Sequence, residues 1–235
     1  MRNCRKFRKN TKYGLFCSTR GGRSVPDKKE MSEEDIKLQF ITPAITAKWE
    51  RSRITMETKI TDGRINLKGN FIFREKPKKA DYILYASDNN PIAIVEAKRN
   101  MHPVSHGLQQ AMTYAQMMDI PFAYSSNGDA FYEHDFLTGA EREIALEDFP
   151  SPDELIARYK AGANKGQGLS ESELKIRRQP YYSSQNTYPP RYYQRNAVNR
   201  TLDAIARGQE RLLLVMATGT GKTVTLKVLA ESFSD

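Results

Sequence analysis

No stretch of this 235-residue chain approaches the roughly 18 consecutive apolar residues that a membrane span requires, so no membrane association is expected. The charged N-terminus leads into no apolar run, which argues against a secretory signal. Cysteine is almost missing. Cys4 and Cys17 are the only two, they sit in a basic stretch, and they lack the C-x2–4-C spacing of a zinc site. A reducing compartment follows, and the cytoplasm is the expected location. Histidine is equally scarce. His102 and His106 stand four apart, but Pro103 and Gly107 argue against one helix carrying both, and His134 stands alone, so no histidine metal site is expected.

What the chain has in excess is positive charge, +9 in total, and its placement matters more than its size. Residues 1–30 hold ten Lys or Arg and two acids, whereas residues 31–235 hold 27 basic and 26 acidic side chains. The bulk of the protein is therefore near neutral, and a basic footprint spread over a folded surface is excluded. The first thirty residues show neither helical nor strand periodicity and read as a disordered basic arm, or as an extension upstream of a start at Met31.

Order begins at Met31. Ser32 has Asp35 three residues on, a capping pair, and Ile36, Phe40 and Ile41 form an apolar stripe that Pro43 is expected to bend or interrupt. Residues 53–60 and 71–74 read as strands, with TDG and KGN as turns between them. In ADYILYASDNNPIAIVEAKRN two apolar runs flank a turn, and Ile92 to Val95 is apolar on both faces, as a central strand would be. A turn centred on Asn89 and Asn90 would set Asp81 across from Lys98 and Ile83 across from Glu96, all on one face. Asp81 and Glu96 then become diagonal neighbours able to hold one hard cation between them, with the Ala97 carbonyl as a further ligand. Magnesium there would suit phosphodiester cleavage, with Lys98 positioning the attacking water or stabilising developing negative charge. A surface ion pair between Glu96 and Lys98 or Arg99 is the alternative explanation of the same residues.

Downstream, GLQQAMTYAQMMD reads as a helix with Leu108, Ala111, Met112 and Ala115 on its buried stripe and Gln110 and Tyr114 one turn apart beside it. PFAYSSNGDAFYEHDFLTGAEREIAL alternates strands around Asn127-Gly128 and Thr138-Gly139. A boundary is expected near Tyr159, and residues 160–190, rich in Gly, Ser, Gln and Pro, read as a linker with a short helical piece around Glu171 to Arg177. Its tyrosines beside Arg177, Arg178 and Arg191 suit packing against a neighbouring domain better than stacking on bases. Residues 191–235 open with an amphipathic helix closed by Gly208. RLLLVM then reads as a buried strand, and ATGTGKT as a phosphate loop entering another helix. Gly219, Thr220 and Gly221 would bring backbone N–H groups to ATP phosphates, Lys222 would reach the β and γ oxygens, and Thr223 would bind magnesium. Met216 occupies the place of the first glycine of the strict GxxxxGK[ST] pattern. With twelve residues after Thr223, no acidic pair for the attacking water follows, so ATP turnover by this stretch alone is not expected and a piece of a longer protein is.

Asp81, Glu96 and Lys98 resemble the PD-(D/E)xK nuclease superfamily, with Ala80 where a proline is usual. Gln110 and Tyr114 resemble the Q-x3-Y element that in a subset of these nucleases places the cut strand or orders the site. Glu33 resembles an acidic position in the first helix that supports the metal site, a role Glu34 could serve instead. AxxGxGKT resembles motif I of superfamily 2 helicases and translocases, and Gln194 their upstream adenine-reading glutamine. Together, SEED, ITDGRI, ADYIL, PIAIVEAK, QAMTYAQ, SSNGDAF, RYYQ and MATGTGKT resemble the N-terminal part of type I restriction enzyme R subunits from Met31 to Asp235. The resemblance implies an α/β fold: a restriction-endonuclease-like αβββαβ nuclease domain over residues 31–159, then the first strand, loop and helix of a RecA-like motor. It implies magnesium and ATP as cofactors, double-stranded DNA as substrate, and specificity and methylation subunits as partners, the full protein coupling ATP-driven translocation to cleavage.

Two alternatives keep part of the pattern. A helicase fragment with a catalytically inactive nuclease-like DNA clamp needs Gln194 and Lys222 but no metal at Asp81. A nucleic-acid-binding module driven by the basic arm would bind with a steep salt dependence carried by residues 1–30.

Overall fold

The structure, a computed structural model, describes residues 27–61, 65–68, 71–74, 76–87, 90–163 and 190–231. Its centre is a six-stranded mixed sheet built from β1 (Ile54–Thr61), β4 (Lys78–Ser87), β5 (Asn90–Ala97), β6 (Phe122–Ser126), β7 (Ala130–Asp135) and β8 (Glu141–Ala145), hydrogen-bonded in that order. β2 (Ile65–Lys68) and β3 (Phe71–Arg74) pair with each other as a separate ribbon. All neighbours are antiparallel except β5 and β6, whose parallel pairing demands a crossover, and α3 (Leu108–Met118) supplies it. β5 is interior and buried from Pro91 to Ala97, as its two-sided apolar run requires.

The capping pair forms as expected: the Ser32 hydroxyl accepts the Asp35 N–H, and Asp35 accepts from the Ser32 N–H. The α/β architecture is met, but several local expectations are refined or corrected. The interruption expected at Pro43 takes the form of a π turn just before it, not a break in the chain of helix. α1 (Glu33–Ile36) runs through a π turn at Lys37–Ile41 into α2 (Thr42–Thr46), with the Thr42 N–H donating to the Lys37 carbonyl. The wider turn absorbs a proline that would clash with a regular helical turn. The β4–β5 register also differs. Tyr82 pairs with Val95 and Ile83 with Ile94, two residues away from the expected pairing, because Ser87 already meets Asn90 and the ladder shifts around Tyr85. A shift of two keeps every side chain on its face.

The third correction concerns the arm. Residues 27–30 are docked: Lys28 donates to the Gly128 carbonyl at 2.7 Å and to Asp129 at 2.6 Å, and lies 4.0 Å over the Phe40 ring. Residues 1–26, with both cysteines, lie outside the described residues, as do residues 164–189, which hold most of the expected linker and its helical piece. α4 (Pro152–Ala163) carries helix past the expected boundary at Tyr159. The fourth concerns RLLLVM, which forms no strand; Leu213 is 90% and Val215 82% exposed. A parallel core strand is stabilised only between neighbours, and among the described residues none lies beside it.

Two apolar layers cover the sheet. Ile36, Ile41, Ile45 and Trp49 pack with Tyr82, Val95, Phe122, Tyr124 and Phe149 on one side; Ala111, Tyr114, Ala115 and Met118 of α3 cover Ile83, Ile94 and Ala123 on the other. Met112, expected on the α3 stripe, is only half-buried, and Tyr114 and Met118 take the inner positions. Asn127-Gly128 links β6 to β7 as expected, with Gly128 at φ +85°, and Gly139, at φ +76°, turns β7 into β8. α5 (Tyr192–Ala206) leans on α3, where Asn196 donates to the Met117 carbonyl and Arg200 grips Asp119 with two bonds of 2.8 and 2.9 Å. α6 (Lys222–Glu231) packs on α5 through Val198, Leu202, Val228 and Leu229. No helix of the described residues is long and apolar enough to cross a membrane.

Candidate active site

Side chains on a strand alternate faces, so Glu96 follows Ile94 towards α3, and Asp81, bonded to the Ala97 N–H and to Lys37, stands at the same end of the neighbouring strand. Both carboxylates therefore emerge where the central pair of strands runs out of core. Continuing the observed register places Asp81 directly opposite Glu96 rather than diagonal to it. The Asp81 Oδ2 accepts the Ala97 backbone N–H at 2.8 Å, which locks its side chain across the strand end. Lys98 Nζ stands 3.7 Å from Glu96 Oε2. The close approach of α3 depends on Gly107, where a Cβ would meet Lys98 Cγ at 3.2 Å and Glu96 Cβ at 3.4 Å.

Electrostatically Glu96 is the outlier. It is 1% exposed, and its Oε1 is buried with no hydrogen-bond partner. Burial, reinforced by the negative charge of Asp81 and only partly offset by Lys98, pushes its pKa up to about 8. A buried acceptor left unsatisfied is costly and calls for a partner. Gln110 and Tyr114 are brought together at the start of α3, with Gln110 Nε2 donating to the Tyr114 hydroxyl at 3.2 Å. Burial, and then the charge of Glu96, raises the Tyr114 pKa.

Two participants escaped the sequence reasoning. Lys37, at the opening of the π turn, is buried and sends its ammonium to Asp81 Oδ1 at 2.5 Å and to Glu57 Oε1 at 2.8 Å, with Glu33 Oε1 3.6 Å away. Burial works to lower its pKa, but the bonds from Asp81 and Glu57 outweigh it and the group stays charged. The same lysine holds the Glu57 carboxyl below its usual range. Glu57 sits on β1 between the Met56–Tyr82 and Thr58–Ala80 pairs, opposite Asp81, with φ +50°. Left-handed backbone in a non-glycine residue is strained and often marks a site. The Glu33–Lys37 spacing was the only local signal, and it is also that of an ordinary helix ion pair. Glu33 thus approaches Asp81 through Lys37, while Glu34 points to solvent.

Among the described residues no three His, Cys, Asp or Glu side chains are placed to hold one metal ion by themselves. The donor set nevertheless suits a small hard cation. Magnesium binds through one or two carboxylates and keeps several waters, and Asp81 and Glu96, with its orphaned oxygen, face each other across the strand end. His102 and His106 are stacked, ring centroids 4.3 Å apart, and His134 contacts Glu141 at 2.9 Å.

The second constellation lies at α5 and α6. The Gln194 amide donates to the Thr220 carbonyl at 3.0 Å, and its Oε1 accepts the Arg191 N–H at 2.9 Å. Gly219 and Gly221 take φ +79° and +80°, a left-handed backbone that favours glycine, and a Cβ on Gly221 would lie 2.4 Å from Gln194 Nε2, so the Gln194 amide would have to shift. Lys222 curls onto its own loop, donating to the Met216 and Ala217 carbonyls at 3.1 and 3.2 Å. Thr223, at the start of α6, is exposed.

Residues 44–150 match the family described as Type I restriction enzyme R protein N terminus (HSDR_N), and residues 187–235 match Type III restriction enzyme, res subunit. The chain is 39% identical over 201 residues to the type I restriction enzyme EcoAI endonuclease subunit of Escherichia coli, covering 83% of this chain and 24% of that protein. It is 28% identical to the EcoKI endonuclease subunit of Escherichia coli strain K12, over 62% of this chain and 16% of that protein. A solved fragment, described as an HsdR subunit of a type I restriction enzyme from Vibrio vulnificus YJ016, superposes with a TM-score of 0.75 at 37% identity, over 86% of this chain and 38% of that one. The chain thus spans about a quarter or less of the length of these two curated relatives.

Proposed function

Because the chain belongs to the type I restriction enzyme R-subunit family, whose N-terminal region it matches, we propose that its six-stranded domain is the DNA-cleaving module of such a subunit. The observation that carries this is the buried, unpartnered Glu96 oxygen facing Asp81 at the end of the central strand, with Lys98 beside it. Asp81 and Glu96 would hold a magnesium ion, which when bound polarises a phosphate oxygen and lowers the pKa of a bound water. The Ala97 N–H fixes the Asp81 side chain at the strand end before any cation arrives. Lys98 offers a proton donor and positive charge at the position where the scissile phosphate develops negative charge. The Gln110–Tyr114 pair, fixed on the first turns of α3, orients the strand being cut.

The α5–α6 segment is proposed as the start of a RecA-like motor. Backbone N–H groups of Gly219, Thr220 and Gly221 would cradle the phosphates of ATP. Lys222 would turn from its own loop to the β and γ oxygens, Thr223 would ligate magnesium, and Gln194 would read the adenine. Double-stranded DNA, with specificity and methylation subunits, completes the assembly. The test is cleavage of circular double-stranded DNA by the full-length subunit reconstituted with those partners. Asp81→Ala and Lys98→Ala should abolish cutting while ATP hydrolysis continues; cutting that survives both would refute the assignment.

A further inference from the structure

Lys37 is unusual because it lies where a cation for the candidate active site would. Its ammonium carries three donors, and three carboxylates surround it: Asp81 at 2.5 Å, Glu57 at 2.8 Å and Glu33 at 3.6 Å. Asp81 is the shared partner. Its Oδ2 is fixed on the Ala97 N–H, so Oδ1 is the oxygen left to accept a cation, and Lys37 has it. We infer that Lys37 is an internal counter-ion that competes with an incoming divalent cation for Asp81 and thereby sets how tightly the site takes metal. This deepens the nuclease proposal and rests on it.

The surroundings provide a place for the ammonium to go. The Glu57 and Glu33 side chains are 54% and 32% exposed, against 12% for Asp81, so two better-hydrated partners remain when Asp81 is surrendered. A flexible four-carbon stem permits that move without displacing the helix. Lys37 is then a positioning residue. In the metal-free chain it holds Asp81 aimed at Glu96 and neutralises carboxylates that would otherwise repel. A second cation cannot approach Asp81 closely while the ammonium stays, because two positive charges a few Å apart repel strongly away from bulk water. The π turn supports this role, since Lys37 begins it and its side chain is thereby delivered into the carboxylate cluster.

The test uses the whole chain with Mn2+ as the probe, titrated calorimetrically into wild type, Lys37→Met, Lys37→Gln and Lys37→Arg at pH 8. The Gln variant keeps an N–H donor to Asp81 without the charge, which guards against a variant that fails to fold. Both neutral variants should bind Mn2+ about tenfold or more tightly than wild type, the effect of removing one nearby unit charge, while the Arg variant stays close to wild type. In EDTA the neutral variants should melt below wild type, and Mn2+ should raise their melting temperature by more. Equal or weaker Mn2+ affinity in the folded neutral variants, with wild-type binding intact, overturns the counter-ion role alone. No binding to any variant or to wild type up to millimolar Mn2+ overturns the cation site itself and this inference with it.

Discussion

Glu96→Gln should make the metal-free chain more stable, and increasingly so as pH rises. The folded-state pKa of Glu96 is raised from 4.5 to about 8, first by burial and then by Asp81. Below about pH 4.5 the carboxyl is neutral in both folded and unfolded chains and costs nothing. Between 4.5 and about 8 the folded chain holds a proton that the unfolded chain has released, so stability falls as pH rises. Above 8 the whole penalty is present. A shift of about 3.5 units corresponds to a ceiling of about 5 kcal/mol, and relaxation around a coupled pair reduces this to a few kcal/mol. Gln cannot ionise and escapes the penalty. Urea unfolding in EDTA at pH 5, 7 and 9 measures the difference between the two chains, in which titrating groups remote from Glu96 cancel. The gap should be small at pH 5 and widen to a few kcal/mol at pH 9; a gap independent of pH refutes the account of Glu96 as a buried, repelled carboxyl.

Glu133 tests a purely structural network. It is buried, receives Arg158 and Arg142 at 2.8 and 2.9 Å, and is bonded by the Tyr124 hydroxyl. Glu133→Ala should cost about 1–3 kcal/mol by urea unfolding, because the buried Tyr124 hydroxyl loses its partner while Arg158 keeps Asp135 and Arg142 is half exposed; an unchanged stability would show that Tyr124 finds another partner. Gly221→Ala should lower the affinity of the full-length subunit for a fluorescent ATP analogue at least tenfold, since the Cβ meets Gln194 and the backbone has φ +80°. Unchanged affinity would mean that the loop adopts another conformation around nucleotide.

Local signals carried the sequence far. Ser32 and Asp35 define a helix start within four residues, the two-sided apolar run of β5 demands an interior position, and Asn127-Gly128 specifies its turn. The β4–β5 register was harder, because it depends on where the turn is placed and on irregularities around Tyr85. RLLLVM has strand composition, yet composition cannot supply the neighbours a strand needs. Lys37 and Glu57 were invisible for a different reason. A lysine in a helical stretch and a charge on an outer strand look ordinary until folding carries both to Asp81 across 44 and 24 residues of sequence.

The π turn also fixes a counting rule for the N-terminal helix. It contains one residue more than a regular turn, and each helical residue advances by about 100°. Deleting a single residue between Lys37 and Ile41 would restore a regular helix, return Pro43 to a clash, and rotate everything before the deletion by about a quarter turn. Met31 and Ile36 would leave the core, and the capping pair would remain intact on a helix facing the wrong way. The reading frame of that helix relative to the sheet is therefore held by one surplus residue, so a length change there is far more damaging than almost any substitution.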